Sequence, residues 1–278
     1  MHTAAQACMM PGMNVTKRDI PYKTVGDTTL RLFVFEEDDA RADTRRPAIV
    51  FFFGGGWANG TPEQFFPQCE YLASRGMVTV SAEYRVKERN GTTPFECVAD
   101  GKSAVRWVRA HADELGIDPD RIAAGGGSAG GHIALCTALI DDLEETGEDV
   151  SVSSRPDALV CFNPAPDLTR YANRVPESAG RAEEISPTHH VKAAAPPGIL
   201  FHGIDDQSVP FEDAERFAAA MTDAGNDCQL VAYPGQEHGF FNYREGDNPC
   251  YAETLREVDR FLVRLGWLTG MPAVGGTS

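Results

Sequence analysis

Arg-Ile-Ala-Ala-Gly-Gly-Gly-Ser-Ala-Gly-Gly-His, residues 121 to 132, is the stretch around which the chain reads most clearly. A short apolar run ends in glycines, one serine sits among them, and an Ala- and Leu-rich segment of helical character follows at once. Gly126, Ser128 and Gly130 spell G-x-S-x-G, the pattern of a nucleophile elbow. The pattern has a steric origin: a serine on a sharp strand-to-helix turn holds a strained backbone, and side chains two positions either side would strike neighbouring chain. The turn also sets the hydroxyl beside a helix N-terminus, whose free N–H groups and dipole favour developing negative charge. Taken alone, the same residues also suit a glycine-rich turn with a bystander serine, or a phosphate-binding loop.

Outward from the elbow, strands alternate with helices. Upstream, the continuous apolar run Ile-Val-Phe-Phe-Phe at 49–53 suits a central parallel strand covered on both faces. A helix is expected over 62–75, a strand over 77–84, and a helix from Phe95 to Ala110, where Val98, Ala104, Val105 and Val108 fall at helical spacing. Strand 121–125 and helix 129–140 flank the serine. Strand 158–162, strand 198–202, helix 211–224, strand 228–233 and helix 251–265 complete the alternation. Asp19 to Phe35 instead alternates polar and apolar residues, as antiparallel strands do. The expected fold class is therefore α/β, a mostly parallel sheet with helices on both faces, in a single domain over 1–278. Residues 1–18 read as a loose arm, Glu36 to Arg46 as a solvated connection, and the Pro- and charge-rich stretch 164–190 as an inserted lid.

Ligands of such sheets bind beyond the carboxyl ends of the strands, which tests the serine independently. After strand 49–53 comes Gly54-Gly55-Gly56-Trp57, where backbone N–H groups can face a developing oxyanion. Gly55 and Gly56 are the expected donors, together with the N–H of Ala129. After strand 198–202 come Asp205 and Asp206; Asp206 precedes Val-Pro and lies farther into the loop, so it is the expected acid, with Asp205 a turn or cap residue. After strand 228–233, His238 lies on a loop between small residues and is the expected general base. His2, His111 and His132 are weaker candidates, and His189 and His190 are placed near the lid to line a pocket. Ser128, Asp206 and His238 supply three complementary chemistries from three ends of one sheet.

Composition bounds the partners. A hydrophobic content of 42% and a charged content of 24% are ordinary for a globular protein. A formal charge of −16 argues against nucleic acid or an anionic membrane surface as a partner. The seven cysteines lack C-x-x-C spacing, which argues against a zinc or redox module, and Cys136 and Cys161 read as small core residues. No stretch approaches the ~20 apolar residues of a membrane span, and the N-terminus lacks the basic start and apolar run of a signal peptide. The expectation is a soluble protein, cytoplasmic as the sequence stands and periplasmic or secreted if a leader was removed. A homodimer is left open.

With these residues in hand, the chain resembles the α/β-hydrolase superfamily, in its hormone-sensitive-lipase-like and acetyl-esterase (carboxylesterase) branch. The marks are Phe-Gly-Gly-Gly-Trp at 53–57, Ser-Ala-Glu-Tyr-Arg at 81–85, Gly-Gly-Ser-Ala-Gly-Gly-His at 126–132 and Glu-His-Gly-Phe at 237–240. The resemblance spans roughly residues 20–266. It implies an eight-stranded, mostly parallel sheet and a cofactor-free serine hydrolase acting on short acyl esters, including acetylated carbohydrates, as small-molecule substrates. Two departures stand out. Phe53 occupies the place of the family's loop histidine, and the short N-terminus puts in doubt the large helical cap that many lipase-like relatives carry, in which case 164–190 would be the main lid. Aromatics Trp57, Phe65, Phe66, Phe240, Phe241 and Tyr243 flank the site loops, as pocket walls or as core. The alternatives are a serine peptidase, for which no propeller domain fits in this length, and a non-catalytic binding protein on the same fold, which would not need His238. Haloalkane- and dienelactone-type hydrolases would carry Asp or Cys at the elbow.

Overall fold

The computed structural model describes residues 14–38, 45–171, 173, 175–178, 180–245 and 248–272. Eight strands form one sheet: β1 (Val15–Val25), β2 (Thr28–Glu37), β3 (Arg46–Phe52), β4 (Val78–Ala82), β5 (Ile117–Gly127), β6 (Ala158–Phe162), β7 (Gly198–Gly203) and β8 (Cys228–Tyr233). Their spatial order is β1-β2-β4-β3-β5-β6-β7-β8. The pairs β1–β2 and β2–β4 are antiparallel and the remaining pairs are parallel. This is the α/β-hydrolase arrangement expected above.

Seven α-helices accompany the strands among the described residues: α1 (Phe66–Ser74), α2 (Lys87–Asn90), α3 (Pro94–Ala110), α4 (Ala112–Leu115), α5 (Ala129–Leu139), α6 (Phe211–Asp223) and α7 (Pro249–Arg264). Strand periodicity divides the core in two. Ala48, Val50 and Phe52 of β3 join a cluster with Val98 and Val105 of α3, Ile133 and Leu135 of α5, and Phe217 of α6. Ile49 and Phe51 point the other way, into a cluster with Cys69 and Leu72 of α1 and Leu255, Val258 and Phe261 of α7. Both faces of the central strands are thus covered, which is why β3 is apolar without alternation. Helix α3 starts at a capping box, in which Thr93 Oγ1 accepts from Phe95 N and Glu96 returns a carboxylate to the Thr93 N–H at 2.7 Å.

Some expected boundaries move. Val15 to Arg18 pair with β2 rather than trailing as an arm, and residues 1–13 of that arm lie outside the described residues. Glu36 and Glu37 end β2 and Arg46 begins β3, while 39–44 of the expected connection also lie outside. The six described cysteines are all free; Cys136 and Cys161 are fully buried. No described helix is long and apolar enough to cross a membrane.

Candidate active site

The elbow is built by close approach. A Cβ on Gly126 would meet Phe52 O at 2.4 Å, and one on Gly130 would meet it at 2.0 Å. Since these are backbone atoms of β3, neither contact can be relieved by a rotamer change. Ser128 sits between them at φ 55° and ψ −118°, its N–H donating to Phe162 O at 2.9 Å. A non-glycine residue in this region is strained by about 1–3 kcal/mol. What the strain secures is position: the hydroxyl stands at the carboxyl end of β5, with α5 starting at the next residue.

His238 Nε2 lies 2.9 Å from Ser128 Oγ, and His238 Nδ1 lies 2.6 Å from Asp206 Oδ2. The order donor–imidazole–carboxylate leaves Nδ1 as the protonated nitrogen and Nε2 as the acceptor for the serine proton. Asp206 is almost completely buried, and its Oδ1 accepts from the N–H groups of Ser208 (2.8 Å) and Val209 (2.9 Å). Burial by itself would raise the Asp206 carboxyl. Hydrogen bonds from His202, His238 and the Val209 N–H outweigh it and hold the group well below the ordinary carboxylate range. Asp205 is exposed and turns the loop, its N–H donating to Gln236 O.

A cavity of about 370 Å³ opens in front of Ser128, lined by Gly55, Gly56, Trp57, Ala165, Tyr171, Val175, Val209, His238 and Phe241 among others. Gly55 adopts φ 126°, and a Cβ there would lie 2.2 Å from Asn59 O, so only glycine can make this corner. The Gly54 N–H is already taken by Gln64 Oε1 at 2.6 Å. No protein acceptor takes the N–H of Gly55 or Gly56 among the described residues, and Ala129 opens a helix whose first N–H groups lack intrahelical partners. Three donors are therefore free around the serine.

Several residues of this region were not singled out from the sequence. Asn163, fully buried, receives the Gly239 N–H at 3.0 Å and lies 3.5 Å from His238 Nε2. Gln64 Nε2 donates to Asn242 Oδ1 at 2.8 Å, and Asn242 Nδ2 donates to Gly239 O, which ties the glycine loop to the histidine loop. His202 is fully buried, with Nε2 2.9 Å from Val209 O and 3.3 Å from Asp206 Oδ2. A signal existed for Asn163 and His202: they follow β6 directly and occupy the end of β7. Gln64 carried none.

Of the flanking aromatics, Trp57 and Phe241 line the cavity, whereas Phe65, Phe66, Phe240 and Tyr243 do not; Phe65 stacks on Phe51 in the core, ring centroids 4.8 Å apart. His189 approaches Asp167 at 3.4 Å, and His190 lines a separate surface cavity, so neither walls this one. His111 stacks on Trp107, and His2 lies outside the described residues. Phe53 replaces a polar brace by packing: its ring stacks on Tyr84 at 4.1 Å, and Tyr84 donates its hydroxyl to Phe53 O at 2.7 Å.

A sequence model of the family described as BD-FAE matches residues 37–221. The chain is 32% identical over 244 residues to esterase LipQ of Mycobacterium tuberculosis, covering 80% of this chain and 56% of that protein. It is 29% identical over 217 residues to a probable isoprenylcysteine alpha-carbonyl methylesterase of Arabidopsis thaliana, covering 69% and 45%. The chain thus spans about half the length of the curated relatives it matches. Among solved structures, native esterase 2 of Thermogutta terrifontis superposes with a TM-score of 0.86 at 48% identity, covering 93% of this chain and 94% of that one. The same esterase phosphorylated by paraoxon superposes with a TM-score of 0.85 at 49% identity, covering 94% and 97%.

Proposed function

The chain belongs to the BD-FAE family, a hormone-sensitive-lipase-like family of α/β-hydrolases, and from that premise we propose that it is a serine carboxylesterase acting on short-chain acyl esters through an acyl-enzyme. The observation that carries the reading is the unbroken chain Ser128 Oγ–His238–Asp206 at 2.9 and 2.6 Å at the mouth of a cavity. His238 takes the serine proton as Oγ attacks the ester carbonyl, and Asp206 stabilises the imidazolium that forms. The N–H groups of Gly55, Gly56 and Ala129 hold the oxyanion; loss of one such donor typically costs about 3–4 kcal/mol. The alcohol leaves with the proton from His238, and water repeats the sequence on the acyl-enzyme.

The size of the cavity, with Ala165, Tyr171 and Val175 of the segment 164–190 in its wall, supports a preference for small acyl groups and a lid role for that segment. Thermogutta esterase 2 has been solved with propionate and with butyrate bound, which supports the same size class here. Simple acetates, acetylated sugars, propionates and butyrates are the substrates to compare. The purified protein should hydrolyse p-nitrophenyl acetate and butyrate, lose turnover on Ser128→Ala, and be inactivated by one equivalent of paraoxon. Turnover by wild type no faster than by Ser128→Ala across short acyl chains would sink the proposal.

A further inference from the structure

Phe53 removes the polar brace expected beneath the glycine loop, and the packing of its ring on Tyr84 secures only the first residue of that loop. Gly55, Gly56 and Trp57 beyond it all have positive φ, Trp57 at 60°. A tryptophan in that region is strained and needs a tether. The indole supplies one. Trp57 Nε1 lies 3.1 Å from Nδ1 of His132, the last residue of the elbow motif, with the rings edge to face at 88°. An indole N–H only donates, so Nδ1 accepts and the proton of the neutral imidazole sits on Nε2. Nε2 lies 2.6 Å from Ile185 O, in the segment whose Ala165, Tyr171 and Val175 line the cavity. His132 is fully buried, and the thiol of Cys136, 3.3 Å from Nε2, is the only other titratable group in hydrogen-bonding contact with the ring among the described residues. Nδ1 thus holds Trp57 of the glycine loop, and the shorter of the two Nε2 contacts goes to Ile185 O of the segment 164–190.

We infer that His132 is a positioning residue that couples the oxyanion loop to the segment 164–190, its Nδ1 holding Trp57 and its Nε2 holding Ile185. The inference rests on the esterase reading above, since the loop matters only if an oxyanion forms there. Removing the Trp57 bond loosens Gly55 and Gly56 and reduces stabilisation that exists only in the transition state. Removing the Ile185 bond loosens the cavity wall and weakens ground-state binding instead.

The two bonds can be cut separately. In His132→Asn the side-chain amide keeps an acceptor at the Nδ1 position, whereas in His132→Gln it keeps a donor at the Nε2 position. Trp57→Phe deletes the donor and keeps a smaller aromatic ring in its place. With p-nitrophenyl butyrate, Trp57→Phe and His132→Gln should each lower kcat by about ten- to a hundredfold with KM changed less than about threefold. Their double variant should fall no further than either alone. His132→Asn should recover most of kcat while raising KM. Thermal unfolding midpoints show whether each variant folds. If Trp57→Phe keeps the wild-type kcat, or if the two His132 variants lose kcat equally and in step with their melting temperatures, His132 only fills space and the inference is overturned. A wild type with no more turnover than Ser128→Ala would fail the esterase reading instead, and the two failures are distinct.

Discussion

Asp206 and Asp205 are neighbours in sequence with opposite fates, and burial accounts for the difference. Asp206 takes four hydrogen bonds, from two backbone N–H groups and two imidazoles, and it is held ionised with one oxygen aimed at His238. Asp205 faces solvent. Asp206→Asn leaves the shape of the loop intact but presents an amide that favours the wrong tautomer of His238. It should lower kcat by about 10³- to 10⁴-fold, while Asp205→Asn changes kcat less than about threefold. Steady-state kinetics on p-nitrophenyl butyrate would read both, and comparable rates for the two variants would remove Asp206 from the role of acid.

At the scale of one element, the β5–α5 turn concentrates the fold's least forgiving contacts. Gly126 and Gly130 bring α5 against the end of β3, so the turn that strains Ser128 also brings the glycine loop next to it. Gly130→Ala would set a Cβ 2.0 Å from Phe52 O and should cost more than about 3 kcal/mol, read as a lower urea midpoint or loss of soluble protein. Gly76→Ala is the matched control. Gly76 has φ 93° with nothing within 4 Å of its Cβ position, so its cost is confined to backbone strain, on the order of 1–2 kcal/mol. Equal midpoints for the two variants would refute the close-approach account of the motif.

For the whole molecule, buried ionisable groups set the response to acid. Burial pushes the His132 imidazole down to about 4 from its ordinary 6.5, with the Ile185 hydrogen bond offsetting only part of that. The unfolded chain therefore binds the proton first. The contribution is complete above pH 6.5 and is lost as the pH falls from there through 4, on the order of 3 kcal/mol in total. Asp206 acts later: its contribution is complete above the ordinary carboxylate range and is lost as the pH falls through that range toward its lowered folded-state value. Melting temperature should thus fall between pH 6.5 and 4.5 in wild type and fall less steeply in His132→Asn. Parallel curves for the two proteins would assign the acid response to other groups.

Much of this was open to inspection in the chain itself. The alternation of apolar runs determined a mostly parallel sheet, because a strand covered on both faces must be apolar throughout. The rule that chemistry gathers at the carboxyl ends of strands singled out Ser128, Asp206 and His238, which the fold brings within hydrogen-bonding distance from positions as far apart as 110 residues. Only the tertiary structure decided what holds them in register. Phe53 on Tyr84, Gln64 to Asn242, Asn163 to Gly239 and Trp57 to His132 are pairings between residues distant in sequence, and no local periodicity encodes a partner. A motif records where the backbone must bend. Which buried polar atom satisfies which is settled when the sheet and its loops close around them.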